Sequence, residues 1–205
     1  SEEIRDEERR NFNLIAAPGY TELYSNLVNL NIDRGMTAFV LGDTPLRLKS
    51  NATELINWGT NANAVTDNGD AGVVTYDEYS AMWYPNGFTT DLSGVNAVVP
   101  ATHMMLKTIA LSDQVSYPWF APAGTRRGTI DNATNIGYID STTGEFITIK
   151  TRLGIRDVLY INEINPLVFF TGIGLLNYGN KNSYASQSAL DRTNVARLVA
   201  YIRRQ

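Results

Sequence analysis

The sequence predicts an α/β (α+β) fold, a mixed β-sheet flanked by helices. Three observations carry this. Phe12 to Ala17, a helical pattern from Thr21 to about Arg34, and the apolar run Met36 to Leu41 read as strand, helix, strand, the repeating unit of an α/β sheet. The continuous apolar runs at Met36 to Leu41 and Leu167 to Phe170 have the pattern of strands covered on both faces. Alternating apolar residues in Ile136 to Ile149, on either side of Ser141-Thr142-Thr143-Gly144, read as a hairpin.

In chain order, residues 2–10 are dense in charge and read as a solvated helical turn or frayed end. The first strand stops at Pro18-Gly19. Thr21 is placed to cap a helix in which Leu23, Leu27 and Leu30 recur at helical spacing, and Gly35 is placed to end it. Asn51 and Glu54 have capping-box spacing for a short helix through Trp58. Residues 61–72, rich in Asn, Asp and Gly, read as a surface loop. Val73 to Tyr84 reads as extended, with Pro85-Asn86-Gly87 as a turn. Val99-Pro100 opens a helix whose buried side is expected to be Ala101, Met104, Met105, Thr108, Ile109 and Leu111. Ser116 to Gly128 holds two prolines and three aromatic residues, Tyr117, Trp119 and Phe120; it reads as a rigid, extended, buried segment. Leu159 to Phe170 reads as a second buried strand. A last amphipathic helix near Leu190 to Arg204 has Val195, Leu198, Val199 and Ile202 on one face.

At 205 residues the chain is long enough for one domain or two small ones. A net charge of −4 argues against a general nucleic-acid binder. The absence of cysteine removes disulfide and thiolate chemistry. No apolar run reaches membrane-spanning length. The sequons Asn51-Ala52-Thr53 and Asn132-Ala133-Thr134 read as chance matches.

Several residues carry groups capable of chemistry. Asp43 follows a strand end, where α/β sheets often place ligands, but Asp, Thr and Pro also simply make turns. Asp67-Asn68-Gly69-Asp70 is like a calcium loop but lacks the spacing and closing glutamate. His103, the single histidine, has no nucleophile or second ligand beside it. Arg126-Arg127 reads as a solvated loop. Gly172-Ile173-Gly174 starts a dinucleotide fingerprint that fails at Asn177, leaving a bend between strands. No catalytic, cofactor-binding or metal-binding residue is expected, and no cofactor.

Several motifs, taken in order, resemble the contractile tail sheath family of long-tailed phages, which has relatives in type VI secretion and other contractile injection machines. They are Ala17-Pro18-Gly19-Tyr20-Thr21, Ala38 to Pro45, Tyr79 to Pro85, and Val99-Pro100 with Asp113 at the end of its helix. Tyr117-Pro118-Trp119-Phe120-Ala121-Pro122-Ala123-Gly124 follows, then Leu159 to Pro166, Phe170 to Gly174, Tyr178-Gly179-Asn180-Lys181 and Asn194-Val195-Ala196-Arg197-Leu198. The resemblance implies a structural subunit that stacks in helical rings around a tail tube. Arms add strands to neighbouring subunits, and contraction drives the tube through the host envelope without catalysis. Its implied partners are other sheath subunits, the tail tube protein and the baseplate, with no direct nucleic acid and no membrane. Its implied place is the virion tail, assembled in the host bacterial cytoplasm. Residues 1–11 are expected to be a charged segment and 12–205 the sheath core, without the C-terminal region and arm, so that the chain alone is a monomer. Tyr117, Trp119 and Phe120 are expected to lock the central helix onto the sheet. The rival readings are a baseplate or adaptor component, and an α/β enzyme or nucleotide-binding domain using Asp43 and Gly172 to Gly174.

Overall fold

A computed structural model describes residues 2–66 and 69–205. Its centre is a five-stranded sheet in the order β1-β2-β3-β8-β9. Strands β1 (Leu14–Ala16), β2 (Phe39–Asp43), β3 (Ser80–Tyr84) and β8 (Ile164–Phe170) run parallel. Strand β9 (Gly174–Asn177) returns antiparallel to β8. A second sheet, β5-β4-β6-β7, is antiparallel and contains β4 (Asn86–Thr90), β5 (Asn96–Val99), β6 (Asn135–Ile139) and β7 (Phe146–Ile149). The helices are α1 (Glu2–Arg5), α2 (Tyr24–Asp33), α3 (Ala52–Gly59), α4 (Ala101–Val115), α5 (Gly124–Arg127), α6 (Leu153–Ile161) and α7 (Thr193–Arg204).

The pleat of the central strands sorts their side chains into two cores. Phe39, Leu41, Ala81 and Trp83 pack with Met104, Met105 and Ile109 of α4, Ala196 and Ala200 of α7, and Ile136 of the second sheet. Val40, Met82 and Tyr84, one register away, pack with Tyr24 and Val28 of α2, Leu55 and Trp58 of α3 and Leu159 of α6. A sheet covered on both faces explains the continuous apolar runs of β2 and β8. Gly42 makes one of these contacts possible. A Cβ there would lie 2.5 Å from Tyr24 Cε2 and 2.9 Å from Met82 Cγ.

Local chemistry accounts for several boundaries. Helix α2 ends in a Schellman arrangement: Gly35 N–H donates to Ile32 O at 2.9 Å and Met36 N–H to Asn31 O at 2.8 Å, with Gly35 at φ +70°. Asn51 caps α3 by accepting Glu54 N–H at 2.8 Å. The β6–β7 hairpin forms where alternation predicts it, its turn held by Asp140 Oδ1 accepting from the amides of Thr142 and Thr143.

Other expectations are corrected. Thr21 is no cap: it starts a 3-10 turn, Thr21–Leu23, and its hydroxyl donates to Asp70 Oδ1 at 3.4 Å. Of the segment 73–84, only Ser80–Tyr84 is a strand. Asn86 and Gly87 are not a turn but the start of β4. Strands β4 and β5 carry polar and exposed residues that give no strand pattern. The stretch 159–163 is not strand. Helix α6 occupies Leu153–Ile161, with buried Leu159 and partly buried Ile155 and Val158 at helical spacing. Leu111 is 41% exposed, and Ser112 takes its place on the buried side of α4. The buried side of α7 is Thr193, Ala196, Arg197 and Ala200, leaving Ile202 61% exposed. Ala196 and Ala200 let α7 lie close to β2, and of the expected apolar face Val199 packs against this core, partly buried.

The charged N-terminal stretch forms a solvated helical turn but is tied down. The guanidinium of Arg34 donates to Ile4 O at 2.6 Å and Arg10 O at 2.7 Å, and lies 3.9 Å over the Phe12 ring.

Candidate functional site: an aromatic surface backed by a polar seam

The residues weighed for chemistry in the sequence are spent on structure or scattered. Asp43, at the end of β2, is buried. Its Oδ2 accepts Gly19 N–H and the Thr102 hydroxyl, each at 2.8 Å, and its Oδ1 accepts Thr102 N–H at 2.8 Å. It thereby caps α4 from another strand, a job Pro100 at the N-cap has no side chain to do. Burial pushes its carboxyl above the ordinary aspartate value, and these hydrogen bonds oppose the shift. The parallel strands run β1, β2, β3, β8 in one direction. There is thus no reversal of order, among the described residues, of the kind that opens a ligand crevice. Gly172 and Gly174, at φ +84° and +105°, make the turn between β8 and β9. His103 is on the exposed side of α4. Arg126 and Arg127 end the short α5. Asp67 and Asn68 lie outside the described residues.

The motifs quoted for the family resemblance do meet. Arg197 of α7 is buried and donates two hydrogen bonds to Asp113 near the end of α4, at 3.1 and 2.6 Å. Asn180 Nδ2 donates to Asn194 Oδ1 at 2.7 Å. Asn165 on β8 donates to Lys181 O at 2.7 Å and accepts Lys181 N–H at 2.8 Å. A Cβ at Gly179 would lie 2.6 Å from Asn165 Oδ1, so this close approach requires glycine. Asn177 on β9 accepts from Trp83 Nε1 at 3.2 Å and donates to Pro122 O at 2.7 Å. That last bond ties the Pro118–Pro122 motif to the sheet. The Tyr24 hydroxyl, Ser80 and Ser183 join α2, β3 and the 178–192 connection in a buried hydroxyl cluster. The seam is thus made of amides, hydroxyls and one bidentate ion pair joined to one another, with Asn180 Oδ1 left without a partner, and these bonds fix its geometry. Asn165, Asn177 and the Asp113–Arg197 pair were not foreseen as a unit. Their partners are 16 to 94 residues apart in sequence, beyond any local spacing signal.

Outside the seam lies the aromatic motif, and here the expectation of a buried lock is overturned. Tyr117 is 61% exposed and Phe120 48%. The segment is a turn, with Phe120 N–H donating to Tyr117 O at 3.0 Å. Tyr117 and Trp119 stack in parallel at 4.7 Å, and Trp119 rests on Tyr201 of α7 at 5.4 Å. The two prolines place rings on the surface instead of threading them through the core. With Phe120 beside Tyr117 and Arg204 over Tyr201, they make an aromatic, basic-edged face. Tyr, Trp and Arg in such a face are the composition of protein–protein contact sites.

No family model matches the chain. A tail sheath protein of Enterobacteria phage T4 is 34% identical over 145 residues, 70% of this chain and 20% of the relative. A tail sheath protein of Vibrio phage KVP40 is 32% identical over 151 residues, 68% of this chain and 19% of the relative. The chain thus matches about a fifth of the length of these relatives. The fold is similar to that of a chain in the contracted helical sheath of the anti-feeding prophage, with a TM-score of 0.63 and 17% identity over 95% of this chain and 45% of that one. It is similar to a chain of the contracted PVC sheath complex of an extracellular contractile injection system, with a TM-score of 0.64 and 18% identity over 95% and 46%. It is also similar to a chain in the anti-feeding prophage baseplate, with a TM-score of 0.62 and 16% identity over 97% and 45%. The sequence relationship to the phage proteins, with the motif residues joined in one seam and the sheath fold around them, places the chain in the contractile tail sheath family.

Proposed function

We propose that this chain supplies the rigid core of a sheath subunit, non-catalytic, which packs with further copies in helical rings around a tail tube. In this reading residues 12–205 are that core, with the 1–11 segment tied to it, and the aromatic face meets a neighbouring subunit. Contraction then re-docks the cores without unfolding them, so the work is done by changes between subunits. The observation that carries this is the joining of the family-like motifs into one hydrogen-bonded seam, Asp113–Arg197, Asn180–Asn194 and Asn165–Lys181. A body that must rotate and re-dock needs internal contacts stronger than its external ones. Partners under this reading are sheath subunits, tube and baseplate, and the site of action is the virion tail after assembly in the host cytoplasm.

Immunogold labelling of intact contractile particles with antibody to this chain tests the reading. Label along the whole tail supports it. Label confined to the tail end favours a second reading, a baseplate component, to which the fold match in a baseplate assembly lends support. Particles without label refute both.

A further inference from the structure

A second site stands apart from the seam and the aromatic face. Where β7 passes into α6, a cavity of about 470 Å³ is lined by Ser50, Tyr138, Thr148, Lys150, Thr151 and Arg152, with Ile149 and Ile155 at its apolar side. It holds two cationic residues, four hydroxyl-bearing ones and no carboxylate. It also sits at the start of α6, a nine-residue helix whose N-cap, Arg152, makes no side-chain capping bond. The first-turn amides of Leu153 and Gly154 have no acceptor among the described residues. Leu153 and Gly154 are exposed and directly follow the cavity-lining residues Thr151 and Arg152.

The independent sign of a missing ligand is Thr151. It is 2% exposed, it is part of the cavity wall, and its Oγ1 is buried without a hydrogen-bond partner. A buried hydroxyl left unpaired costs stability, and native structures leave few. The residue is also held at φ +52°, a conformation that β-branched residues avoid.

We propose that this cavity is an oxyanion site, taking a phosphoryl or carboxylate group. Leu153 and Gly154 N–H would donate to it as helix N-termini do to anions. Lys150 and Arg152 would neutralise it, and the Thr151 hydroxyl would gain its absent partner. The oxyanion has two possible sources, a free phosphate or the acidic side chain of a neighbouring subunit. The site itself does not depend on the sheath reading, and either can fail without the other; only the neighbouring-subunit source rests on that reading.

The test is an amide NMR titration with inorganic phosphate, and separately with glutarate as the side-chain mimic, each against sodium chloride at equal ionic strength. Saturable shifts centred on Thr151, Leu153 and Gly154 are expected. The affinity should fall by about tenfold or more in Lys150→Ser/Arg152→Ser, two exposed positions whose loss leaves the fold intact. Thr151→Val should weaken binding while keeping shape. Saturation by phosphate alone identifies a free phosphate; saturation by glutarate as well identifies an acidic side chain. Shifts equal to those in chloride, or binding undiminished in the double variant, would overturn the proposal.

Discussion

Removing the carboxylate of Asp113 should cost far more than removing its partner. The two ends of this pair are unequally buried: the Arg197 side chain is 2% exposed and that of Asp113 20%. Asp113→Ala leaves a guanidinium sealed between α4 and α7 with two donors unanswered. Breaking a buried pair from one side costs about 3–5 kcal/mol, and the partial exposure of the aspartate places this case near the lower bound. Arg197→Met leaves a carboxylate that water reaches, and keeps most of the packing volume, so a loss of about 1–2 kcal/mol is expected. The double variant should cost less than the sum, since no charge is left stranded. Urea denaturation reads all three. With a slope of about 2 kcal/mol/M, Asp113→Ala should lower the midpoint by about 1.5 M and Arg197→Met by about 0.5–1 M. Equal losses in the two single variants, or strict additivity in the double, would refute the claim that burial asymmetry governs the pair.

Gly42→Ala should destabilise by about 1–3 kcal/mol through overpacking against Tyr24 and Met82, read as a lowered Tm. Asn51→Ala should cost about 1 kcal/mol in the same assay by uncapping α3. Burial raises the folded-state pKa of Asp43 above its unfolded value, so its linkage favours the fold at low pH and this contribution is lost as pH rises through the folded value. The stability difference between the protein and Asp43→Asn should therefore shrink with rising pH above about 3.9; a difference that grows instead would contradict the burial argument. Tyr117→Ser/Phe120→Ser should change stability by no more than about 0.5 kcal/mol yet abolish incorporation into tails, whereas a large loss of stability would return these rings to the core.

Legibility in the sequence followed the range of the interaction. The β6–β7 hairpin, the Asn51 cap and the Gly35 stop rest on contacts within a few residues, and the pattern shows them. The covered strands β2 and β8 were visible because burial on both faces demands unbroken apolar runs. Strands β4 and β5 were not, because Asn86–Thr90 carries one large apolar residue, Phe88, and its buried Asn86 is satisfied by hydrogen bonds from and to distant parts of the chain. Helix α7 shows the opposite failure. Its large apolar residues suggest the wrong buried face, because close packing on the sheet selects Ala196 and Ala200 and a buried Arg197. The aromatic motif was misplaced for a related reason: hydrophobicity alone does not distinguish a core segment from a contact surface. Asp43 read as a turn residue at a strand end, and its capping of α4 was hidden because its three donors come from Gly19 and Thr102, far away in the chain.

The hold of Arg34 on both Ile4 and Arg10 has a mechanical consequence. The strand that follows, β1, is three residues long and lies at the edge of the sheet, where a pull on the N-terminus would peel it one hydrogen bond at a time. The guanidinium instead cinches the segment ahead of it into a closed loop against the end of α2. Tension entering at residues 2–4 is borne first by two charge-assisted bonds and passes into a helix that packs on the sheet. This short edge strand is thereby taken out of the line of force.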